Sequence, residues 1–597
     1  MAVLACIINY SLTLPTRTTH LTASTISPSH STMSYNQRRW GATGPATNPC
    51  QYEYWWRERQ LRNNKQRGRS PVRSVIILSN RQMAIFDPDE FHLIEAPQRI
   101  IDFEKGSQHS RSDNSLRSAT TSVSIFSDSA LLEKGTPSHR SLPPKCYPRI
   151  VRRLRYSVFA VYQRLFTFVF LVNLAAVLTL VLYQLRNSSR TFKLDNLATF
   201  ASSNFLLAIF FRQDWLINLL FRTTWLVPWS LPLRVRRIVS RVYCYGGIHS
   251  GAAVVGTMWW IVFTAAMSWE GVAEGNYTPL ILIMALVISS LLVSIIVLSL
   301  PQLRVRHHDA WELTHRLLGW LSILLFWAQI LLLTHYNAIS SIPPLDFSRL
   351  LTRTPSFYNL LAITLLLIYP WLLLRRWTFT ATPLSNHALQ LSFPNNVHKY
   401  SCLVLSSSPL REWHPFATFP NGSGNSLVVS AAGDWTGALI ASAQHHHQSP
   451  ETPGSATGTG VAMQFWVKSH PRAGVLSLSC LYKRVVIVTT GSGIGPSLSS
   501  LLDRPQEQVV RLVWSTRSPL ATYGKHILGL VHQADPDAVM LDTDQMGRPD
   551  LLAVAYGLYV EMEAEAVFVL SNERLTKHVV GGLEKRGIPA YGPIWDS

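Results

Sequence analysis

The chain has 597 residues, of which only 15% are charged, against roughly 25% in a typical soluble protein. Its Leu, Ile, Val, Phe and Trp gather in uncharged runs long enough to cross a bilayer, which excludes a wholly soluble protein. Cys6, Cys50, Cys146, Cys244, Cys402 and Cys480 lie far apart with no C-x-x-C, so neither a disulfide scaffold nor a cysteine zinc site is supported, and much of the net charge of +20 outside residues 1–82 sits beside the apolar runs, where arginine sets topology and does not mark nucleic-acid binding.

Residues 1–147 are rich in Ser, Thr, Arg and Asn and lack sustained periodicity. They bury too little apolar surface to offset the entropy of ordering and read as a mostly disordered N-terminal region. Residues 1–82 hold eleven Lys and Arg against Glu53 and Glu58, a net +9, and the Ser-rich, acid-free opening through Gln51 also has the composition of an organelle transit peptide. Two apolar pieces, VRSVIIL (72–78) and EFHLIEAPQRIIDF (90–103), are candidates to dock on the body. The serine-dense stretch from Ser107 to Ser129 reads as a solvated linker open to phosphorylation.

Residues 148–376 are expected to form an all-α transmembrane domain of six helices, at about 165–185, 196–211, 246–268, 279–300, 313–334 and 357–374. About 20 residues at 1.5 Å rise cross roughly 30 Å of hydrocarbon. The second run is the weakest, being interrupted by Ser202, Ser203 and Asn204 and closed by Arg212 and Asp214, with Trp215 to Trp229 continuing as an interfacial helix. Arg149, Arg152, Arg153 and Arg155, then Arg212, Arg222, Arg234, Arg236, Arg237 and Arg241, then Arg304, Arg306, Arg375 and Arg376 all fall on one side. That places both termini in the cytosol and the chain in the plasma membrane or another membrane of the secretory pathway. The sequons Asn187-Ser188-Ser189 and Asn276-Tyr277-Thr278 fall on the opposite side, with Glu270 and Glu274; a third, Asn421-Gly422-Ser423, falls in the cytosolic part, which shows how little a lone sequon specifies.

From residue 377 the pattern turns to β. WTFTAT, HALQLSF, YSCLVLS and SLVV read as a small antiparallel barrel over 377–440. Residues 441–460, with His445, His446 and His447 followed by Pro, Gly, Ser and Thr, read as a low-complexity insertion. Residues 461–597 complete the barrel and form an α/β domain with a parallel sheet, whose strands begin near Val485, Val509, Ala538, Ala566 and Ala590. The first strand runs into Gly491-Ser492-Gly493-Ile494-Gly495-Pro496. Glycines let the backbone turn tightly and approach a pyrophosphate, and Pro496 suits the first turn of a helix whose free N–H groups attract anions. After the second strand, Ser515 and Arg517 stand where an adenosine ribose would lie, and Arg517 favours NADPH over NADH by pairing with a 2′-phosphate.

In the barrel, Trp413-His414-Pro415-Phe416-Ala417-Thr418 precedes Gly433-Asp434-Trp435-Thr436. H-P-F-x-T, then G-x-W-T, then a strand and G-x-G-I-G-P resembles the FAD and NAD(P)H modules of the ferric reductase and NADPH oxidase superfamily. With INLLFR, GGIHSG, THRLLGW, LVWSTR, GRPDLL and RGIPAYGPIWDS, residues 150–597 resemble the fungal TmpA-like integral membrane flavoproteins. The resemblance implies FAD on His414, Pro415, Phe416 and Thr418, with Gly433, Trp435 and Thr436 completing the site and the two threonines near flavin or phosphate atoms. Two departures stand out: Ser430 where the superfamily often has lysine, and Ser571-Asn572-Glu573 where it has Cys-Gly-Pro beside the nicotinamide.

His249 in GGIHSGAA and His315 in THRLLGW fall at similar depth, which axial ligation of one haem b requires, and Gly246, Gly247, Gly251 and Gly319 would leave room for the porphyrin. The resembled superfamily stacks a second haem about four turns further on. Here the residues 14 positions past His249 and His315 are Phe263 and Gln329, so the far half of the bilayer is expected to lack a redox centre. The sequence thus reads as a membrane oxidoreductase passing electrons from NAD(P)H through FAD, with one haem or none, to an unidentified cytosolic or lipid-borne acceptor. The competing reading is a membrane-anchored flavin or nucleotide sensor with little turnover.

Overall fold

Three strands precede the helices: β1 (Ser74–Ser79), β2 (Gln82–Phe86) and β3 (Phe91–Glu95). The apolar pieces at 72–78 and 90–103 supply β1 and β3, so the expectation of a mostly disordered 1–147 gives way there. The computed structural model describes residues 74–79, 82–86, 91–95, 141–186, 194–306, 308–448, 460–468 and 470–594. The transit-peptide reading, the Ser107 to Ser129 linker and the sequon at Asn187 lie outside the described residues.

The apolar runs form α1 (Val161–Arg186), α2 (Leu194–Phe210), α3 (Asp214–Trp225), α4 (Gly246–Ala273), α5 (Pro279–Leu298), α6 (His308–Ser340) and α7 (Pro355–Leu372). Among the described residues, five segments are long and apolar enough to cross a membrane: Val161–Tyr183, Gly246–Ala273, Pro279–Leu298, Ala310–Ser340 and Pro355–Leu372. The expected second span differs. α2 has 17 residues and meets α3 at 64°. The bend has a cause in α3, which packs on the soluble part: Ile217 and Phe221 are buried in its core, Asp214 is paired with Arg472, and Asn218 donates to Pro471 O and accepts from Ala473 N, both at 2.9 Å. Inside the bundle, Asn173 and Asn204 exchange hydrogen bonds at 3.1 and 2.8 Å, and the Trp259 indole donates to Asn173 at 3.0 Å. That network satisfies amides that would otherwise be costly among apolar side chains.

Two of the arginines between α3 and α4 have structural partners. Arg236, 5% exposed, forks onto Glu565 at 2.9 and 3.0 Å and donates to Leu481 O. Arg241 pairs with Glu584 at 2.8 Å and lies over the Tyr591 ring. The segment thereby fastens the helices to the C-terminal domain.

The barrel comprises β4 (Arg375–Pro383), β5 (Ala388–Phe393), β6 (Ser401–Ser406), β7 (His414–Asn421), β8 (Gly424–Ser430) and β9 (Val461–Val467), flanked by β10 (Arg472–Ala473). Its order is β10-β6-β7-β8-β5-β4-β9, and β6 pairs with β9 to close it. Alternation sends Phe379, Leu391, Leu403, Leu427 and Phe465 inward. α8 (Asp434–Gln448) covers the core with Leu439, Ile440 and Ala443. The insertion expected at 441–460 therefore begins as helix, with His445 and His446 exposed on it; residues 449–459 lie outside the described residues.

The C-terminal domain contains β11 (Arg484–Thr490), α9 (Ile494–Leu502), β12 (Val509–Thr516), α10 (Pro519–Ala534), β13 (Val539–Asp542), α11 (Leu551–Glu561), β14 (Ala566–Leu570), α12 (Glu573–Glu584) and β15 (Ala590–Tyr591). The strands are parallel in the order β15-β14-β11-β12-β13, and β1, parallel to β13, extends the sheet to β2 and β3. β11 is buried on both faces, which its run of Val and Ile requires: Val485 and Ile487 enter one core, Val486 and Val488 the other. The strand order reverses between β11 and β14, and in such sheets ligands bind outside the carboxyl ends of the strands at this switch point.

Candidate nucleotide and redox site

The glycine turn occupies the switch point. Gly491 has φ +51°, a conformation that favours glycine, and its carbonyl accepts from the Trp514 indole at 3.0 Å. A Cβ on Gly493 would meet Thr489 Oγ1 at 2.2 Å and Leu570 O at 2.9 Å, so no larger residue fits between β11 and β14. Ser492 is exposed on the turn, Ile494 is buried beneath it, and Pro496 lies in the first turn of α9. Gly495 is in a different position, since a Cβ there would make ordinary contact with Val428 at 3.7 Å. Across the crevice, Thr490 Oγ1 and Ser571 Oγ share a hydrogen bond at 2.5 Å. Ser571 thus brings a hydroxyl to the carboxyl end of β14, and Asn572 caps α12 by accepting from Leu575 N. Ser515 is buried at the end of β12, whereas Arg517 is exposed and 3.9 Å from Asp544.

The barrel reaches this turn through Ser430, whose hydroxyl lies 3.5 Å from the Tyr523 phenol; that phenol sits beneath Gly491. Burial pushes the Tyr523 phenol up, and hydrogen bonds to Ser430 and Thr516 act against the rise, so it remains a neutral hydroxyl. Neither Tyr523 nor Trp514 was singled out from the sequence. The only local signal was the position of Trp514 within LVWSTR.

On β7, His414 stacks on Trp435 with ring centroids 4.2 Å apart, and Phe416 lies 6.1 Å from the same ring. Trp435 is anchored by donating to Ser407 Oγ at 2.9 Å. Pro415 is exposed, and Gly433 has open space where a side chain would stand. The two threonines are corrections. Thr418 is 2% exposed and bonded to Ser401 Oγ at 2.7 Å and Ser401 O at 3.2 Å. Thr436 accepts from Ala432 N and Gly433 N and donates to Gly433 O. Both hydroxyls are thus engaged within the protein. Asp434 also brings a carboxylate into the first turn of α8, which opposes a phosphate there. The donor set fits a flavin ring against His414, Pro415 and Phe416 better than it fits a pyrophosphate at α8.

His249 and His315 line one cavity of about 720 Å³ between the helices and the barrel. His249 Nδ1 is 2.9 Å from Ala208 O, and His315 Nδ1 is 3.4 Å from Ser299 Oγ. Each imidazole is tied through Nδ1, which leaves Nε2 for a ligand. Gly246 lines the cavity. Gly247 and Gly251 do not make room for a porphyrin: Cβ atoms there would meet Tyr162 O at 2.3 Å and Phe166 O at 3.0 Å on α1, so these glycines serve helix packing. Among the described residues no group of three His, Cys, Asp or Glu is placed to hold a metal ion.

A family model described as the C-terminal domain of adenylate-forming reductase 03009 matches residues 475–597. Two proteins of Coprinopsis cinerea are similar over more of the chain. Adenylate-forming reductase 06235 is 35% identical over 461 residues, covering 76% of this chain and 42% of that protein. Adenylate-forming reductase 03009 is 35% identical over 507 residues, covering 84% and 46%. The chain spans less than half the length of either relative. These matches overturn the resemblance to the ferric reductase and NADPH oxidase superfamily and its TmpA-like branch, because the matched domain and both relatives carry the adenylate-forming reductase name. Among solved structures, the FAD- and haem-bound flavohemoglobin of Malassezia yamatoensis shares 13% identity over 66% of this chain and 98% of its own, at a TM-score of 0.29. The ferredoxin reductase of carbazole 1,9a-dioxygenase shares 11% over 37% and 70%, at 0.27.

Proposed function

We propose that this chain is a membrane-embedded oxidoreductase module that takes NAD(P)H at the Gly491–Gly493 turn and FAD against β7. The observation that carries this reading is the junction itself: Ser430 at the end of β8 meets Tyr523 beneath Gly491, so the strands next to His414 and the glycine turn adjoin one crevice. The relatives' name, which joins adenylate formation to reduction, supports the reductive part of this reading.

A bound flavin supplies hydride acceptance and release of single electrons. The chain's own residues do the positioning. Gly491 and Gly493 bring backbone close to a pyrophosphate, Ser571 offers a hydroxyl beside the nicotinamide, and Arg517 offers a charge to a 2′-phosphate. His414 and Phe416, held by Trp435, present flat surfaces to the flavin. Where a haem is bound, His249 and His315 would hold it through Nε2, near the barrel-facing end of the bundle. Electrons would then leave on the side they entered, to a cytosolic or lipid-borne acceptor.

The test uses the purified full chain loaded with FAD. NADPH consumption with a soluble one-electron acceptor is expected, with Gly493→Ala abolishing it while flavin stays bound. Bound flavin without consumption of NADPH or NADH would select the sensor reading, and absence of flavin binding would overturn both. Reduction of an impermeant external acceptor by sealed vesicles supplied with internal NADPH would contradict the same-side exit.

A further inference from the structure

The cavity around His249 and His315 holds more positive charge than its carboxylates neutralise. Arg212, Arg304, Arg316, Lys468 and Arg472 line it, against Asp214 and Glu312. Asp214 is paired with Arg472, and Glu312 with Arg316 at 2.5 Å. Arg304 lies over the Trp311 ring at 5.5 Å. The side chains of two further cations, Arg212 and Lys468, have no hydrogen bond or ion pair among the described residues. Arg212 projects from the α2–α3 bend into the cavity, and its guanidinium makes no hydrogen bond or ion pair with any described residue. Lys468 has its ammonium 4.9 Å over the Trp413 ring, and burial, followed by the charge of Arg472, pushes its pKa down to about 8. Trp215, Trp320, Trp371, Leu366 and Leu367 give the cavity an apolar wall.

We propose that the cavity is a binding site for an apolar molecule bearing a carboxylate, whose anionic end is held by Arg212 and Lys468 and whose body lies against the tryptophans. The Arg212 guanidinium is accessible and has no carboxylate paired with it among the described residues, and a carboxylate matches its fork. A neutral lipid would leave Arg212 unpaired. The volume of about 720 Å³ lies within the roughly 300–1,000 Å³ of small-molecule sites. Two sources carry this chemistry: a free long-chain acid from the bilayer, and haem, whose porphyrin bears two propionates. The inference concerns the charged end of the occupant and stands whether or not a haem is bound.

The full chain in detergent is titrated with dansyl-undecanoic acid and with its methyl ester, and with haemin and its dimethyl ester. Wild type is expected to bind the acid about tenfold more tightly than the ester, the scale of one charge-assisted pair. Arg212→Gln removes that preference without changing ester affinity, which shows that the fold and cavity survive, and Arg212→Lys restores part of it. If haem is the source, haemin displaces the dansyl acid, and Arg212→Gln weakens haemin but not its dimethyl ester. The His249→Ala, His315→Ala double variant then loses the haem spectrum and retains the acid. If a free acid is the source, haemin does not displace it. Equal binding of acid and ester by wild type, a preference untouched by Arg212→Gln, or no binding of either the acid or haemin overturns the proposal.

Discussion

The two ends of the helical bundle are built from the same helices and solve opposite problems. At the barrel-facing end, α4 and α6 contribute His249 and His315 to a wide, charged cavity. Fourteen residues further along the same helices, Phe263 is 1% exposed and Gln329 2%. There Trp260 lies tilted against Phe263 at 4.8 Å and meets Phe326 edge-on at 4.6 Å, and Phe205 packs on Phe326. Aromatic rings pack one end as a core, and the other is a cavity walled partly by elements outside the bundle: α3 and the barrel residues Trp413, Lys468 and Arg472. Among the described residues, the larger space in this bundle lies where the barrel closes it, and the cavity among Phe205, Trp260, Phe263 and Phe326 is only about 100 Å³. The far end is stable by its own packing and has no comparable room.

The largest expected effect breaks the filled end. Phe263→Ala should cost about 3–5 kcal/mol, read as a fall in thermal stability in detergent. His249→Ala at the open end should cost about 1 kcal/mol, the net value of one hydrogen bond. Equal losses would erase the contrast between the two ends.

Next in size is the helix contact that borders the open end. Gly247→Ala forces a Cβ to within 2.3 Å of Tyr162 O, and overpacking of that kind costs about 1–3 kcal/mol. Gly319→Ala meets nothing within 4 Å, and replacing a helical glycine should stabilise by about 0.5–1 kcal/mol. Opposite signs in the two melting shifts would confirm that one glycine packs helices and the other faces space. Shifts of the same sign would remove that distinction.

The smallest effect concerns the Arg236–Glu565 clasp, which fastens the segment between α3 and α4 to the C-terminal domain. Burial pushes the Glu565 carboxyl up, but the Arg236 hydrogen bonds and the Lys483 N–H outweigh it and hold it below its ordinary 4.5. A carboxyl lowered in the folded state stabilises above the unfolded pKa, and that contribution fades as pH falls through the folded value. Hydrogen exchange in residues 233–245 should therefore rise below about pH 4.5, while the far ends of α4 and α6 stay protected. Glu565→Gln should flatten that acid limb; an unchanged profile would show that the clasp does not anchor this segment.

Much of this was legible in the sequence because the signals are local. Strands expected near Val485, Val509, Ala566 and Ala590 begin at residues 484, 509, 566 and 590, since a continuous apolar run between turn residues has few other solutions. Glycines 491 and 493 were readable for the same reason: the strand before them and the helix after them fix what the turn must do. The shared cavity of His249 and His315 followed from counting along helices that run the same way.

Tertiary structure alone decided the rest. A one-residue step along a strand reverses the face a side chain meets, and nothing local told whether Thr418 faced a ligand or Ser401 on the neighbouring strand. Gly247 and Gly251 read equally well as room for a cofactor or as contact with α1, because a glycine's purpose is set by whatever stands opposite its missing side chain. The α2–α3 bend, the addition of β1–β3 to the sheet and the meeting of Ser430 with Tyr523 all depend on partners distant in the chain. The charge surplus around Arg212 emerged only when Lys468 and Arg472, more than 250 residues away, were brought to the same cavity.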